Sequence, residues 1–372
     1  MPLRIRFLYS LLALGCIALF LSGCERKPIR IGFVGGMSGR VADLGVGGRN
    51  GALLAVEERN ARGGINGRPV ELIIRDDEQN VETARKVTRE LTESNVEALI
   101  GPMTSSVALA MVPIVNQARL VTVSPTVTST QLSGADDYFL RVLPDTSTYA
   151  PKSALFHLKK SGLRRAAIVY DTGNSSYTTS WLAGFRKSFE NSGGSIVVSR
   201  SFTSGENIAF SPIVRDLLRH DPDLVVLVCN AVDAALLCQQ IRKLDRRVTI
   251  TVSEWGSTER FIELGGSAVE GVYFAQFINH GDVTPRYRNF LASYRTRFGQ
   301  DPGFPGLAGY DAANVVLDAL TARKGDASLK DTIVSAGSYQ GVQRKIVLDR
   351  FGDARSTTFI TVVKDGRFVT LE

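Results

Sequence analysis

From Ile29 onward, short apolar runs alternate with amphipathic stretches, and this rhythm constrains the fold more than any other feature of the chain. The runs read IRIGFV, VELIIRD, EALIG, LVTVS, AAIVYD, SIVVSRSF, LVVLVC and VTITVS. Each is followed by helical periodicity, as in residues 51–62, 81–94, 107–118, 177–191, 208–219 and 233–244. Continuous apolar strands alternating with helices predict parallel sheets covered on both faces. About eight such units are more than one open sheet of this length comfortably holds. The series changes style in residues 139–155, FLRVLPDTSTYAPKSAL, which predicts a crossover between two lobes. After Gly271 the pattern loosens into VYFAQF, helical segments at 285–298 and 308–323, and a hairpin-like pair turning at Asp365-Gly366. The chain is therefore expected to return to the first lobe and to end near the second. A closed eight-unit barrel is the competing architecture; the terminal antiparallel pair and the mid-chain break count against it.

The first residues set the compartment. Arg4 and Arg6 precede an apolar run over residues 7–21, the layout of a secretory signal, and the run is short of the roughly 20 apolar residues that a membrane span needs. Leu21-Ser22-Gly23-Cys24 resembles the lipobox of bacterial lipoproteins, which implies that residues 1–23 are a signal peptide, that Cys24 is lipidated and that residues 24–28 are a tether. A plain signal peptide or a signal anchor is the alternative. The formal charge of +7 is spread over scattered pairs such as Lys159-Lys160 and Arg246-Arg247 without interleaved aromatics, which argues against nucleic-acid binding. Cys16 falls in the expected signal peptide, leaving Cys229 and Cys238; an oxidising compartment permits a disulfide between them, but their apolar surroundings favour buried free thiols. No metal-ligand spacing and no cofactor motif is present, and His157, His220 and His280 stand outside any catalytic pattern. GVGGRNG at 45–51 lacks the position and spacing of a nucleotide loop.

In open parallel sheets, ligands sit beyond the carboxyl ends of the strands. That places weight on residues 35–38, 76–77, 101–106, 124–128, 171–176, Asn230 and 253–255. Two of these segments, GPMTSS and SPTVTS, are rich in hydroxyls and open helices. Unpaired N–H groups at a helix start, with hydroxyls beside them, suit a carboxylate or another anion. The same residues are also favoured N-caps, and spacing alone leaves both readings open.

At these segments the chain resembles the type I periplasmic binding proteins, specifically the branched-chain amino-acid-binding family of ABC transporters. The stretches that carry the likeness include IRIGFVGGMSGRVADLG, RNGALLAVEERNARGGINGRPVELIIRDDEQN, ALIGPMTSS, VTVSPTVTS, GYDAANVVLDAL and FGDARSTTFITVVKDGRFV. The resemblance implies an α/β fold of two Rossmann-like lobes joined by a three-crossing hinge. It divides the chain into residues 29–145 (first lobe), 146–275 (second lobe), 276–338 (return to the first) and 339–372 (return to the second, with the hairpin). It further implies a ligand held in the cleft and delivered to an ABC permease complex, with no enzymatic activity.

Carried over one by one, Ser105 and Thr128 match the residues that bind the ligand carboxylate, and Thr126 offers a carbonyl to the ammonium. Glu254 falls where the second lobe supplies an acid to that ammonium, and Tyr177 matches an aromatic that closes over the ligand. Two positions depart from the leucine-binding pattern: Asn230 stands in place of a tyrosine and Leu44 in place of a tryptophan wall. Trp255 is a possible replacement wall, although on a strand it would point away from Glu254. The expected ligand is an amino acid or a similar small polar solute. A sensor that uses the same cleft without transport, or an assembly protein with a vestigial cleft, is the alternative.

Overall fold

The computed structural model describes residues 27–205 and 207–372; the expected signal segment, with Cys16 and the lipidation position Cys24, lies outside the described residues. Five strands, β1 (Ile29–Gly35), β2 (Val70–Asp76), β3 (Ala98–Ile100), β4 (Thr122–Ser124) and β5 (Phe139–Arg141), form a parallel sheet ordered β2-β1-β3-β4-β5. Helices α1 (Ala42–Ala61), α2 (Val81–Glu93) and α3 (Ser105–Ala118) connect them. The expected crossover is shorter than residues 139–155. Phe139–Arg141 is the edge strand of the first sheet, and helix α4 (Thr146–Leu155) already packs on helix α5 (Ser175–Asn191) of the second lobe.

The second sheet begins with β6 (Arg165–Asp171), β7 (Ser195–Phe202), β8 (Leu224–Val228), β9 (Thr249–Val252) and β10 (Tyr273–Gln276), interleaved with α6 (Phe210–Leu218), α7 (Ala231–Leu244) and α8 (Glu259–Gly265). All five residues of β8 are buried, as its unbroken LVVLV run requires. The chain then returns through α9 (Pro285–Phe298), α10 (Gly303–Ala322) and α11 (Leu329–Ala336), with α10 packed along α1. Strands β11 (Ser338–Gln340), β12 (Lys345–Leu348) and β13 (Ala354–Arg355) make a small separate sheet, tied to β5 by the Arg141 Nε to Asp353 Oδ1 bond of 3.0 Å. Strands β14 (Phe359–Lys364) and β15 (Arg367–Thr370) close the second sheet, ordered β15-β14-β10-β9-β8-β6-β7, and are its antiparallel members.

Periodicity predicts the first helix from residue 51 and the last long one from 308, yet they start at Ala42 and Gly303. Glycine lowers helix propensity and hides the early turns of α1, and the run at 45–51 lies inside that helix, not in a loop. Among the described residues no helix is long and apolar enough to cross a membrane.

Cys229 and Cys238 are free and fully buried, and burial pushes the Cys238 thiol up to about 12. A thiol held in its neutral form is a poor nucleophile. Neither is expected to react with an aromatic disulfide reagent at pH 8 until the protein is unfolded, when both should titrate without added reductant. Rapid labelling of the folded protein would contradict the packing described.

Candidate functional site

Strand order locates the site. In the first sheet β1 has β2 on one side and β3 on the other, and in the second β6 lies between β7 and β8. Connections from such strands run to opposite sides and open a crevice at their carboxyl ends. The two crevices face each other and enclose a small cavity. Its first-lobe wall is Leu44 from α1, Met103, Thr104 and Ser105 at the start of α3, Thr126 after β4, and Phe304 from the first turn of α10. Its second-lobe wall is Asn174 and Tyr177 at the start of α5, Glu254 and Trp255 after β9, and Phe277 after β10.

Ser105 and Thr128 are buried, and neither hydroxyl caps its own helix. Ser105 Oγ accepts from the backbone N–H groups of Thr128 (3.4 Å) and Ser129 (3.3 Å), joining the two hydroxyl-rich segments. Thr128 Oγ1 accepts from the Tyr149 hydroxyl at 2.7 Å, one layer behind the lining. Thr126 lines the cavity, with its hydroxyl donating to the Met103 carbonyl at 2.6 Å. The starts of α3 and α5 meet across the cleft: Ser106 N donates to Asn174 Oδ1 (3.0 Å), Ser176 N to Ser106 Oγ (3.2 Å) and Ser129 Oγ to the Ser176 carbonyl (2.8 Å).

Glu254 is the electrostatic centre. It is buried, its Oε2 has no hydrogen-bond partner, and no lysine or arginine lines the cavity. Burial pushes its carboxyl up to about 8, although Tyr149, Tyr177 and Trp181 pull in the opposite direction. Burial and the charge of Glu254 raise the Tyr177 hydroxyl well above its usual range. Tyr177 Oη, Trp181 Nε1, Ser253 Oγ and Trp255 Nε1 are likewise buried without partners. An unsatisfied buried polar group costs about 1–3 kcal/mol, so those of the cluster that line the cavity, on Glu254, Tyr177 and Trp255, suit a polar ligand.

Trp255 differs from the strand-based expectation. Strand β9 ends at Val252 and residues Glu254–Gly256 wind into a 3-10 turn, so the strict alternation of a strand no longer applies. Both Glu254 and Trp255 line the cavity, with Trp255 edge-on to Tyr177 at 5.7 Å. Asn230, expected at the ligand, is not among the lining residues: it caps α7, its Oδ1 accepting from Asp233 N at 3.0 Å and its Nδ2 donating to Asp233 Oδ2 at 2.7 Å. Asn230→Ala is accordingly expected to lower stability by about 1 kcal/mol in urea unfolding, the usual cost of a lost cap.

Five lining residues carry no individual expectation from sequence. Met103, Thr104 and Asn174 fall within segments already placed at strand ends, but Phe277 and Phe304 have no local signal. Phe304 reaches the cavity only because α10 docks on α1.

Two Rossmann-like lobes closing on an apolar chamber that holds one carboxylate and several hydroxyls define a two-lobed solute-binding protein. A family model described as periplasmic binding protein matches residues 28–367. The chain belongs to that family. It is 27% identical over 348 residues to the Leu/Ile/Val-binding protein homolog 7 of Brucella suis, covering 88% of this chain and 86% of that one. The Leu/Ile/Val-binding protein of Escherichia coli is 24% identical, with 93% of each chain covered. Among solved structures, the branched-chain amino acid transporter substrate binding protein LivJ of Streptococcus pneumoniae, in complex with isoleucine, superposes with a TM-score of 0.86 at 25% identity over 93% of this chain and 99% of that one. A solute binding protein of R. palustris in complex with benzoate shares the fold, with a TM-score of 0.84 at 20% identity over 92% and 95%. The family and fold implied by the sequence motifs are thus established.

Proposed function

We propose that this protein binds an α-amino acid in the interlobe cavity and delivers it to an ABC permease, tethered outside the cytoplasm by lipid on Cys24. The observation that carries the ligand class is the buried Glu254 carboxylate, which faces the cavity with no protein cation beside it. A buried carboxylate left unpaired is unfavourable, and a ligand ammonium would supply the missing charge. Ser105 and the start of α3 supply a hydroxyl and a partial positive charge on the first lobe, suited to the ligand carboxylate. Thr128 supports that region from behind through Tyr149. Leu44, Met103, Phe277 and Phe304 favour an apolar side chain. Aromatic acids such as benzoate fit the fold, but they would bring a second anion towards Glu254. The proposed role is binding without catalysis, as in the solute-binding family to which the chain belongs.

The test is thermal denaturation of the soluble body, residues 25–372, refolded to strip carried-over ligand, against leucine, isoleucine, valine and benzoate. A ligand at about 100 times its Kd adds about 2.7 kcal/mol of stability. Stabilisation by the amino acids is expected. Stabilisation by benzoate alone would overturn the proposed ligand class.

A further inference from the structure

Outside the cavity, a charged contact joins the turn after β1 to the start of α7, across the two lobes. Arg40 lies in the 3-10 turn Gly39–Val41 between β1 and α1, and its Nη1 donates to Oδ1 of Asp233, in the first turn of α7, at 2.7 Å. The Asp233 side chain is fully buried whereas that of Arg40 is 27% exposed. Asp233 is held from its own lobe on the other oxygen alone: Oδ2 accepts from Asn230 Nδ2 at 2.7 Å and from Ser204 Oγ at 2.5 Å. Oδ1 is thereby aimed at the opposite lobe. Asp171, also buried, lies close enough for the Asp233 charge to help raise its carboxyl, after burial itself, and its own Oδ2 has no partner. The second lobe thus holds two neighbouring carboxylates here, and Arg40 is the cation the first lobe brings to one of them, Asp233. The neighbouring contact from Thr258 Oγ1 to Asp43 Oδ2, at 2.5 Å, also crosses the cleft but adds no positive charge.

We propose that Arg40 and Asp233 form a charge clasp across the cleft that favours the closed arrangement of the lobes by itself, with Asn230 and Ser204 as the positioning residues that aim Asp233. Opening the lobes strips Asp233 of its counter-charge among the described residues, and an interaction present in one state alone shifts the equilibrium towards that state. A ligand that binds the closed form then finds more of it, so the clasp sets apparent affinity without touching the ligand. It also accounts for Asn230, whose amide supports a contact between the lobes and not a ligand.

The molecule carries its own reporter, because its two tryptophans, Trp181 and Trp255, are both buried and Trp255 lines the cleft. The experiment is acrylamide quenching of tryptophan fluorescence on the full chain in detergent, stripped of ligand, in low salt and in 0.5 M sodium chloride. Arg40→Ala is expected to raise the quenching constant about twofold, Arg40→Lys to recover part of the protection, and Arg40→Ala with Asp233→Asn to quench no more than either single variant. Because the pair is largely buried, high salt should change wild-type quenching much less than Arg40→Ala does. Circular dichroism on each variant separates opening from unfolding, and the comparison of Arg40→Lys with wild type stands even where Arg40→Ala fails to fold. Equal quenching of wild type and Arg40→Ala, or of Arg40→Ala and the double variant with Arg40→Lys no better protected than Arg40→Ala, would overturn the clasp. The readout uses no ligand, so it fails or succeeds independently of the amino-acid assignment.

Discussion

A bound amino acid is expected to displace close to one proton from the protein at pH 6. Glu254 sits buried with its carboxyl pushed up to about 8, so in the ligand-free protein it is mostly protonated at that pH. The α-ammonium of a ligand is charged at pH 6 and favours the ionised carboxylate, which therefore gives up its proton on binding. Calorimetric titration with isoleucine in buffers of different ionisation enthalpy should give about one proton released at pH 6 and none well above pH 8, with affinity rising as pH rises between them.

Glu254→Gln should abolish the proton release and weaken binding by about 100-fold, the lower part of the range for removing one member of a buried charge pair. Its effect on the ligand-free protein has the opposite sign. The folded pKa lies above the ordinary 4.5, so as pH rises through 4.5 the unfolded chain ionises first, and folding stability falls until about pH 8. Asp77 and Asp311, each pushed up to about 7 by burial, add losses of the same sign from about pH 4 to 7. At pH 8 the ligand-free Glu254→Gln protein is accordingly expected to melt above wild type. A variant that bound isoleucine normally, with no change in proton release, would remove Glu254 from the site.

The second large effect concerns the scaffold. Gly309→Ala is expected to destabilise the first lobe by about 3 kcal/mol, the upper part of the usual range for overpacking. A Cβ at Gly309 in α10 would lie 2.2 Å from the Gly48 carbonyl oxygen in α1, and one at Gly51 would lie 2.0 Å from the Gly306 carbonyl oxygen. These neighbours are backbone atoms within helices, so they cannot rotate aside as a side chain would; the helices must move apart. Leu44 and Phe304, which wall the cavity, ride on these two helices, so a variant that still folds should bind ligand more weakly as well. Urea midpoints and isoleucine titration on Gly51→Ala and Gly309→Ala measure both consequences. Near-wild-type midpoints would mean that the helix pair tolerates separation.

Much of the fold was legible because strand and helix periods are local. A run such as LVVLV can be buried on both faces only inside a covered sheet, and strand ends then name the segments where a ligand must lie. Within or beside those segments the family resemblance named Ser105, Thr126, Tyr177 and Glu254, and all four line the cavity. The early turns of α1 stayed hidden because glycine is a poor helix former, and the close approach to α10 that explains those glycines is tertiary.

Residue chemistry by itself determined that this chain builds parallel layers with hydroxyls and acids at strand ends. Only the tertiary structure decided what those groups do. Asn230 and Glu254 both follow apolar strands, and no local pattern separates them. Asn230 turns inward to cap α7 and hold Asp233, whereas the 3-10 turn after β9 carries Glu254 and Trp255 together into the cleft. Phe304 reaches that cleft from the returning chain and Phe277 from the end of β10, as Arg40 reaches Asp233 from the opposite lobe. Such long-range meetings depend on how the two sheets are brought face to face, a relation that no stretch of ten or twenty residues encodes.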